Sequence, residues 1–281
     1  MNLIQGCRER GLARTVWSVY GPPGSGKTFC ALTLSEHWPD KAAIKGRAEI
    51  TLQDVLHVAA DDGALDGCVE LGIDVPSINL KELFGMPDDK RGGKKLDVMN
   101  GLRQLYKEIA AYKESNPACK ILIVDTVTAL DKLIGEYWER NPVIGAGGKP
   151  DGFAYWRNLG NSHVKFHTNI TALGLSVVYL FHSKALGDAK DLTDKTKRKA
   201  TQVAGGGSIS VDIGGQVGKN VYLGNCSGLF VMHAKRVQGE WVRVLKPVPT
   251  KEGFEAKSRF ALPDEVEPHL RQLKLQIEKG K

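Results

Sequence analysis

The sequence predicts an α/β fold with a mostly parallel central β-sheet, helices on both faces and a β-hairpin near the C-terminus. Three observations lead to this prediction. Short apolar or β-branched segments alternate with amphipathic ones, a glycine-rich turn joins the first predicted strand to the first predicted helix, and two later strand-like segments flank Gln238 and Gly239. Strands that alternate with helices form right-handed βαβ units, whose strands are parallel. A short glycine-containing turn between two strands is typical of a hairpin.

Each predicted element depends on a local signal. Aromatic and β-branched residues predict strands, apolar residues three or four positions apart predict helices, and proline or glycine ends an element. In chain order, the predicted elements are a strand over 15–20, a helix over 27–37, a strand over 54–60, a helix over 98–112, strands over 120–124 and 171–181, hairpin strands over 229–237 and 240–248, and a helix over 264–279 capped by Asp264. Residues 135–162 and 183–220 are polar and glycine-rich with little periodicity, so we expect long functional loops there.

The composition predicts a single globular domain of 281 residues, with its core over about 12–265 and a C-terminal helix over about 264–279. Hydrophobic residues make up 42% and charged residues 25%, which excludes a disordered chain. No apolar run reaches the ~18 residues of a membrane helix, and residues 1–10 lack the apolar core of a signal peptide. The five cysteines show no C-x-x-C spacing, so neither a zinc motif nor a disulfide framework is indicated. We therefore expect a cytoplasmic protein without a membrane partner.

A phosphate-binding loop follows the first predicted strand, since residues 21–28 match G-x-x-x-x-G-K-[ST] in full. Glycines let successive backbone N–H groups surround a phosphate, and the following helix points its partly positive N-terminus at the same charge. We expect Lys27 to be exposed and to reach the β- and γ-phosphates of ATP, and the Thr28 hydroxyl to ligate Mg²⁺. The predicted nucleotide-binding residues are Gly21, Pro22, Pro23, Gly24, Ser25, Gly26, Lys27, Thr28 and Phe29.

Asp125 ends the apolar strand over 120–124, and we expect this strand to neighbour the strand before the phosphate-binding loop. A carboxylate there orients the water shell of the metal ion in such proteins. Ligand sites of open α/β sheets also lie at the carboxyl ends of the strands. Thr28 and Asp125 are therefore the predicted metal site.

Asp61 and Asp62 close another apolar strand. Hydrolysis needs a group that positions the attacking water, and a carboxylate at this strand end can lie beside the γ-phosphate. The alternative is a simple Asp-Asp-Gly turn. Local sequence leaves the two readings open.

The segment Ala60-Asp61-Asp62-Gly63-Ala64-Leu65-Asp66, with the Leu-Gly-Ile-Asp that follows at 71–74, resembles the segment after the second core strand of RecA. The resemblance implies a RecA-like P-loop core and places Asp62 at the catalytic glutamate, with Asp61 as the fallback. Aspartate is one methylene shorter than glutamate, which implies either a closer approach or slow hydrolysis.

Further implications of the RecA resemblance concern the edges of the ATP site. His182 closes the apolar strand over 171–181 and matches the polar γ-phosphate sensor of RecA-like ATPases. Residues 135–162 and 183–220 then correspond to the first and second DNA-binding loops. Lys257 and Arg259 resemble the K-x-R element that related ring helicases and RadA proteins insert into a neighbour's ATP site. The resemblance thus implies a homo-oligomer, ring or filament, with ATP between subunits.

The whole pattern, over about residues 12–265, is similar to the short RecA-like ATPases of phages, the Sak-type single-strand annealing proteins. That resemblance implies a phage-encoded, Mg-ATP-dependent recombination or annealing ATPase that binds single-stranded DNA. A single-strand-binding protein would be a further partner. ATP turnover would then be stimulated by DNA.

The basic charge has a defined location, because residues 181–260 hold 14 Lys/Arg against 7 Asp/Glu, whereas the rest of the chain has 25 of each. A solvated basic face is the simple interpretation; a nucleic-acid contact is the functional one. The predicted DNA contacts are phosphate contacts from Lys195, Lys197, Arg198 and Lys199 and base stacking by Tyr155 or Trp156, with Lys149 and Arg157 as the next candidates.

Two other functions remain open from the sequence. A helicase or helicase-loader motor would use the same core to displace strands. A nucleotide-gated adaptor would bind a replication or recombination protein and hydrolyse little ATP.

Overall fold

The computed structural model describes residues 15–39, 49–61, 63–84, 97–185, 209–247, 257–258, 262–263 and 265–279. Its strands are β1 (Val16–Gly21), β2 (Ile50–Thr51), β3 (Val55–Ala59), β4 (Ile73–Asp74), β5 (Ser77–Asn79), β6 (Ile121–Asp125), β7 (Ser176–Ala185), β8 (Ile209–Val211), β9 (Gly228–Val237), β10 (Glu240–Lys246) and β11 (Lys257–Ser258). Its helices are α1 (Lys27–Leu32), α2 (Asp66–Glu70), α3 (Leu80–Phe84), α4 (Val98–Ser115), α5 (Val127–Arg140), α6 (Gly152–Ala172), α7 (Gln216–Asn225) and α8 (Leu270–Lys279).

The main sheet has the strand order β10-β9-β1-β7-β6-β3-β5. The neighbours from β9 to β5 are parallel, and β10 runs antiparallel to β9. At the margins, β8 pairs with β7 and β11 pairs with β9. The predicted fold class, an α/β RecA-like core with a mostly parallel sheet and a C-terminal hairpin, is confirmed. The expectation that the Asp125 strand neighbours β1 is wrong, because β7 lies between β1 and β6.

Helices cover both faces of the sheet, because alternate residues of each central strand are buried in opposite directions. In β6, Leu122 and Val124 belong to the apolar cluster on one face, whereas Ile121 and Ile123 belong to the cluster on the other. A sheet buried on both faces has continuous apolar strands rather than alternating ones. This burial explains why the sequence of β6 is a single apolar run.

The prediction of a long loop over 135–162 is wrong, because most of that stretch lies in α5 and α6. The buried face of α6 includes Gly160, Ser162, His163 and His167 as well as apolar residues. A helix that buries polar groups shows a weak apolar period, and this weakens the sequence signal. In the second predicted loop, 183–220, the described part contains the end of β7, β8 and the start of α7.

Two predicted element boundaries differ from those in the structure. The strand predicted over 171–181 begins at Ser176, because α6 continues to Ala172. The last helix begins at Leu270, where the backbone N–H donates to Thr33 Oγ1 at 2.8 Å; the predicted cap Asp264 lies outside the described residues. The hairpin turn was predicted correctly, and both Gln238 and Gly239 have positive φ, at 50° and 91°.

Four cysteines in the described part of the chain (30, 68, 119 and 226) are buried thiols outside any disulfide. No helix among the described residues combines the length and apolar character needed to cross a bilayer.

Candidate functional site

The turn between β1 and α1 has the backbone of a phosphate-binding loop. Gly24 and Gly26 have positive φ, at 72° and 90°, a region that side chains other than glycine rarely enter. Gly26 is also the residue that caps the N-terminus of α1. These two glycines of the motif are therefore required by the turn itself, and both line one open cleft.

Lys27 lies inside this turn rather than extending into solvent. Only 5% of the residue is exposed, and Nζ donates to the carbonyl oxygens of Gly21 and Pro22 at 3.1 and 2.9 Å. Burial lowers the pKa of Lys27, and the negative charges of Asp125 and Asp61 oppose that shift. The expectation of an exposed lysine is wrong, because the loop carbonyls hold the ammonium group in place.

Thr28 and Asp125 meet at the ends of α1 and β6. The Thr28 hydroxyl donates to Asp125 Oδ2 at 2.6 Å, although β7 separates β6 from β1. His57 of β3 is fully buried and places Nε2 3.3 Å from the same carboxylate oxygen. An imidazole that bonds a carboxylate beside a metal position fixes the orientation of that carboxylate. His57 and Thr28 thus both hold the same carboxylate oxygen of Asp125.

The donor set fits a magnesium ion. The hydroxyl oxygen is a hard ligand of the kind that Mg²⁺ prefers, and the adjacent carboxylate can accept hydrogen bonds from the water shell of the ion. Mg²⁺ takes its other ligands from phosphates and water. In the part of the chain that is described, no cluster of three or more His, Cys, Asp or Glu side chains can hold a metal alone. A metal at Thr28 and Asp125 therefore depends on a bound phosphate for its remaining ligands.

Asp61 and His182 form the other wall of the site. Asp61 Oδ2 accepts a hydrogen bond from Thr126 Oγ1 at 2.7 Å and lies 3.7 Å from His182 Nε2. His182 is the residue opposite Gly21 in the pairing of β7 with β1. Burial lowers the pKa of His182, Lys27 lowers it further, and Asp61 and Asp125 act in the opposite direction. The imidazole is therefore neutral at neutral pH and can accept or donate a hydrogen bond.

Thr128 joins this wall to the strand that follows it. Its Oγ1 accepts from the His182 backbone N–H at 3.0 Å and donates to the Asp212 carbonyl at 2.8 Å. The Asp212 N–H in turn donates to the His182 carbonyl at 2.8 Å. The end of β7 and the residue after β8 are thus fixed to the first turn of α5.

One open cleft of about 650 Å³ brings these groups together. The sequence reasoning missed four polar residues here: His57, which bonds Asp125, and Lys81, Thr126 and Arg243, which line the cleft. A polar residue in the middle of the apolar strand β3 was a signal for His57. The sequence held no signal for the other three. The cleft is lined by Pro23, Gly24, Gly26, Lys27, Thr28, Phe29, Asp61, Gly63, Ala64, Gly67, Lys81, Asp125, Thr126, His182 and Arg243.

Several predicted site residues lie outside the described part of the chain. These are Asp62, Lys195, Lys197, Arg198, Lys199 and Arg259. The backbone of Lys257 is described and lies in β11, opposite Leu229 of β9; its side chain is not described. The roles predicted for these residues stay predictions.

The two aromatic candidates for base stacking differ in exposure. Trp156 is 55% exposed on the first turns of α6, and a Cβ placed on Gly215 would contact its ring at 3.4 Å. Tyr155 is partly buried, and its hydroxyl packs against Gly135 of α5. Burial raises the pKa of Tyr155. Of the two, Trp156 is the more exposed, and the stacking role stays a prediction for both.

The chain is similar to a known domain family over most of its length. A family model described as an AAA domain matches residues 13–260. A search of curated proteins finds no match. Among solved structures, a KaiC-like protein of the hyperthermophilic archaeon Pyrococcus horikoshii OT3 aligns with 13% identity over 91% of this chain and 87% of that chain, at a TM-score of 0.41.

The family match covers most of the chain and includes the phosphate-binding loop, the Asp125 strand and His182. This protein belongs to the AAA domain family of P-loop ATPases.

Proposed function

We propose that this protein is a Mg²⁺-dependent ATPase that binds single-stranded DNA and acts in recombination or strand annealing. The observation that carries the proposal is the position of His182. It lies in the cleft beside Asp61, and it belongs to β7, the strand that precedes the basic segment 195–199 in the chain. One strand thereby connects the cleft to the candidate DNA contacts.

The catalytic half of the proposal uses the groups that line the cleft. Lys27 and the loop N–H groups bind the phosphates, while Thr28 and Asp125 hold Mg²⁺, which supplies charge neutralisation when it is bound. Asp61 lines the cleft and bonds Thr126 through Oδ2, which leaves Oδ1 as an acceptor for water, and this favours Asp61 as the group that orients the attacking water. Asp62 is the other candidate. His182 donates or accepts a hydrogen bond at the γ-phosphate end.

The DNA-binding half depends on charge and on chain order. Residues 181–260 carry the entire basic excess of the protein. Four of these basic residues lie between β7 and β8 in the chain: Lys195, Lys197, Arg198 and Lys199. Thr128, in the wall of the cleft, bonds the backbone of β7 and the residue that follows β8. A basic segment that lies between two such fixed points can respond to the nucleotide. Trp156 is exposed on α6, close to Gly215 after β8, and is available for stacking on a base.

Assembly and biological role extend the proposal further. Lys257 and Arg259 would reach the ATP site of a neighbouring copy in a ring or filament, as in the K-x-R element that they resemble. The resemblance to the phage Sak-type ATPases supports single-strand annealing in a phage recombination pathway, in the cytoplasm of the host. A single-strand-binding protein is the expected protein partner.

The decisive experiment is steady-state ATP turnover with and without single-stranded DNA, using Lys27→Ala as the inactive control. We expect turnover that needs Mg²⁺ and rises with DNA. Displacement of a paired strand would replace this function with that of a helicase or loader motor. Tight ATP binding with little turnover at any DNA concentration would replace it with a nucleotide-gated adaptor.

A second experiment locates the DNA contacts through their salt dependence. Each phosphate contact to a single strand adds about −0.7 to the slope of log affinity against log salt concentration. Replacing Lys195, Lys197, Arg198 and Lys199 by Ala should flatten that slope by up to about 3 units and weaken all DNA sequences alike. An unchanged slope would transfer the contact to Lys149 and Arg157.

A further inference from the structure

The β9–β10 hairpin extends past the end of β1 and overhangs the phosphate-binding loop. β9 pairs with β1 only from Gly228 to Val231, opposite Trp17 to Tyr20, and then continues to Val237. Arg243 of β10 pairs with Ala234, three residues beyond the last β9 residue that is opposite β1. The hairpin therefore carries Arg243 to the level of the loop that follows β1.

The Arg243 side chain lies directly over the loop. A Cβ placed on Gly26 would lie 3.1 Å from Arg243 Nη1 and 3.4 Å from Cδ and Cζ. Arg243 is also part of the lining of the cleft that contains Lys27 and Thr28. The guanidinium of Arg243 thus lies against Gly26, and a side chain at position 26 would displace the guanidinium.

No acceptor in the described part of the chain accounts for this position of Arg243. Among the residues that the structure describes, no hydrogen bond or ion pair involves its guanidinium, and the residue is exposed. Lys27 of the phosphate-binding loop lines the same cleft, and its ammonium group is a second cationic donor there. A guanidinium carries five donors and no acceptor, so this end of the cleft gathers donors from two parts of the chain around one open space.

We propose that Arg243 binds the phosphate chain of the nucleotide held by its own subunit. The inference rests on the proposed ATPase function and adds a residue that the loop motif does not contain. The planar guanidinium fork matches two phosphate oxygens in a bidentate contact, and it would approach the nucleotide from the hairpin side while Lys27 approaches from inside the loop. Because Arg243 contacts Gly26 within one chain, a neighbouring subunit is not needed to supply this cation.

Calorimetric affinities for MgATP and MgADP test the proposal in Arg243→Ala and Arg243→Lys. We expect Arg243→Ala to weaken both nucleotides by roughly 10- to 100-fold, the effect of losing a charge-assisted contact, and Arg243→Lys to fall between it and the wild type. Arg236→Ala is the matched control, because Arg236 is an exposed arginine of the same hairpin that donates to the Gly239 carbonyl. Its affinities should equal those of the wild type. Thermal unfolding without nucleotide should be the same for all of these variants.

Three results would overturn the inference. Wild-type affinity in Arg243→Ala, together with lost affinity in Lys27→Ala, would remove Arg243 from the site and leave the ATPase function intact. Equal weakening in Arg236→Ala would assign the effect to the hairpin as a whole. Recovery of tight MgATP binding in a mixture of Lys27→Ala and Arg243→Ala subunits would show that the arginine acts across a subunit interface. If Lys27→Ala itself binds MgATP normally, the proposed function fails instead.

Discussion

Replacing Asp125 by asparagine should weaken the binding of Mg²⁺ without weakening the binding of ATP itself. Asp125 is 3% exposed, and its Oδ2 receives both the Thr28 hydroxyl at 2.6 Å and His57 Nε2 at 3.3 Å. An asparagine must keep its one carbonyl oxygen on this side to satisfy those donors. Its NH₂ group then replaces the other carboxylate oxygen, and an NH₂ group cannot accept hydrogen bonds from the water shell of Mg²⁺.

The expected magnitude follows from that geometry. Loss of an outer-shell carboxylate partner typically costs 10- to 100-fold in metal affinity, so the enhancement of ATP affinity by Mg²⁺ should fall by roughly that factor. ATP affinity in EDTA should stay the same or rise slightly, since one negative charge near the phosphates is removed. The neutral acceptor also weakens the bond from Thr28, so the free energy of unfolding should fall by about 1–2 kcal/mol.

The assay is the ratio of ATP affinities with saturating Mg²⁺ and with EDTA, measured by calorimetry for each variant. Taking the ratio cancels any effect of the substitution on the folded fraction. Asp54→Asn is the matched control, since Asp54 is also buried but bonds Ser35 and Glu36, away from the cleft. An Asp125→Asn ratio equal to that of the wild type would refute the assignment of Asp125 to the metal.

Three further predictions concern the site and its stability. Asp61→Asn should retain ATP affinity and lower turnover by roughly 10²- to 10⁴-fold, because a group that positions water acts on the transition state; if Asp62→Asn shows this behaviour instead, the role belongs to Asp62. Lys27→Ala should abolish MgATP binding in calorimetry yet change the free energy of unfolding by only about 1 kcal/mol, because lost bonds to two carbonyls are offset by relief of a buried charge. Burial lowers the pKa of both His167 and His182. Below pH ~6.5 the unfolded chain therefore binds more protons than the folded protein does. The free energy of unfolding should fall as the pH drops from there toward the folded-state pKa values. Urea titrations at several pH values should show this loss reduced in His167→Gln, and an identical pH slope would contradict it.

The parts of the site that the sequence predicted are those fixed by local backbone geometry. The phosphate-binding loop needs glycine at Gly24 and Gly26 because both have positive φ, and this requirement is visible as a motif. Asp125 was predictable because a carboxylate at the end of an apolar strand lies at the sheet edge where ligands bind. In both cases the sequence signal lies within one short segment of the chain.

The parts that the sequence could not predict depend on which strands are neighbours. Arg243 reaches the cleft only through the register of β10 on β9 and of β9 on β1, and no short segment encodes that register. His57 meets Asp125 because β3 pairs with β6. Likewise α6 was read as a loop because its buried face holds His163, bonded to Asp131 and Tyr222, and a hydrogen-bonded polar interior has no apolar period.

The position of β7 between β1 and β6 connects the cleft to the chain segment between β7 and β8. If β1 and β6 were adjacent, Thr28 and Asp125 could still meet, but no third strand would lie between the phosphate-binding loop and Asp125. With β7 there, His182 lies opposite Gly21, and its backbone is bonded to Thr128, three residues after Asp125. Thr128 also donates to the Asp212 carbonyl, just after β8. One residue of α5 therefore holds both β7 and the chain after β8, and residues 195–199 lie between these two fixed points in the sequence.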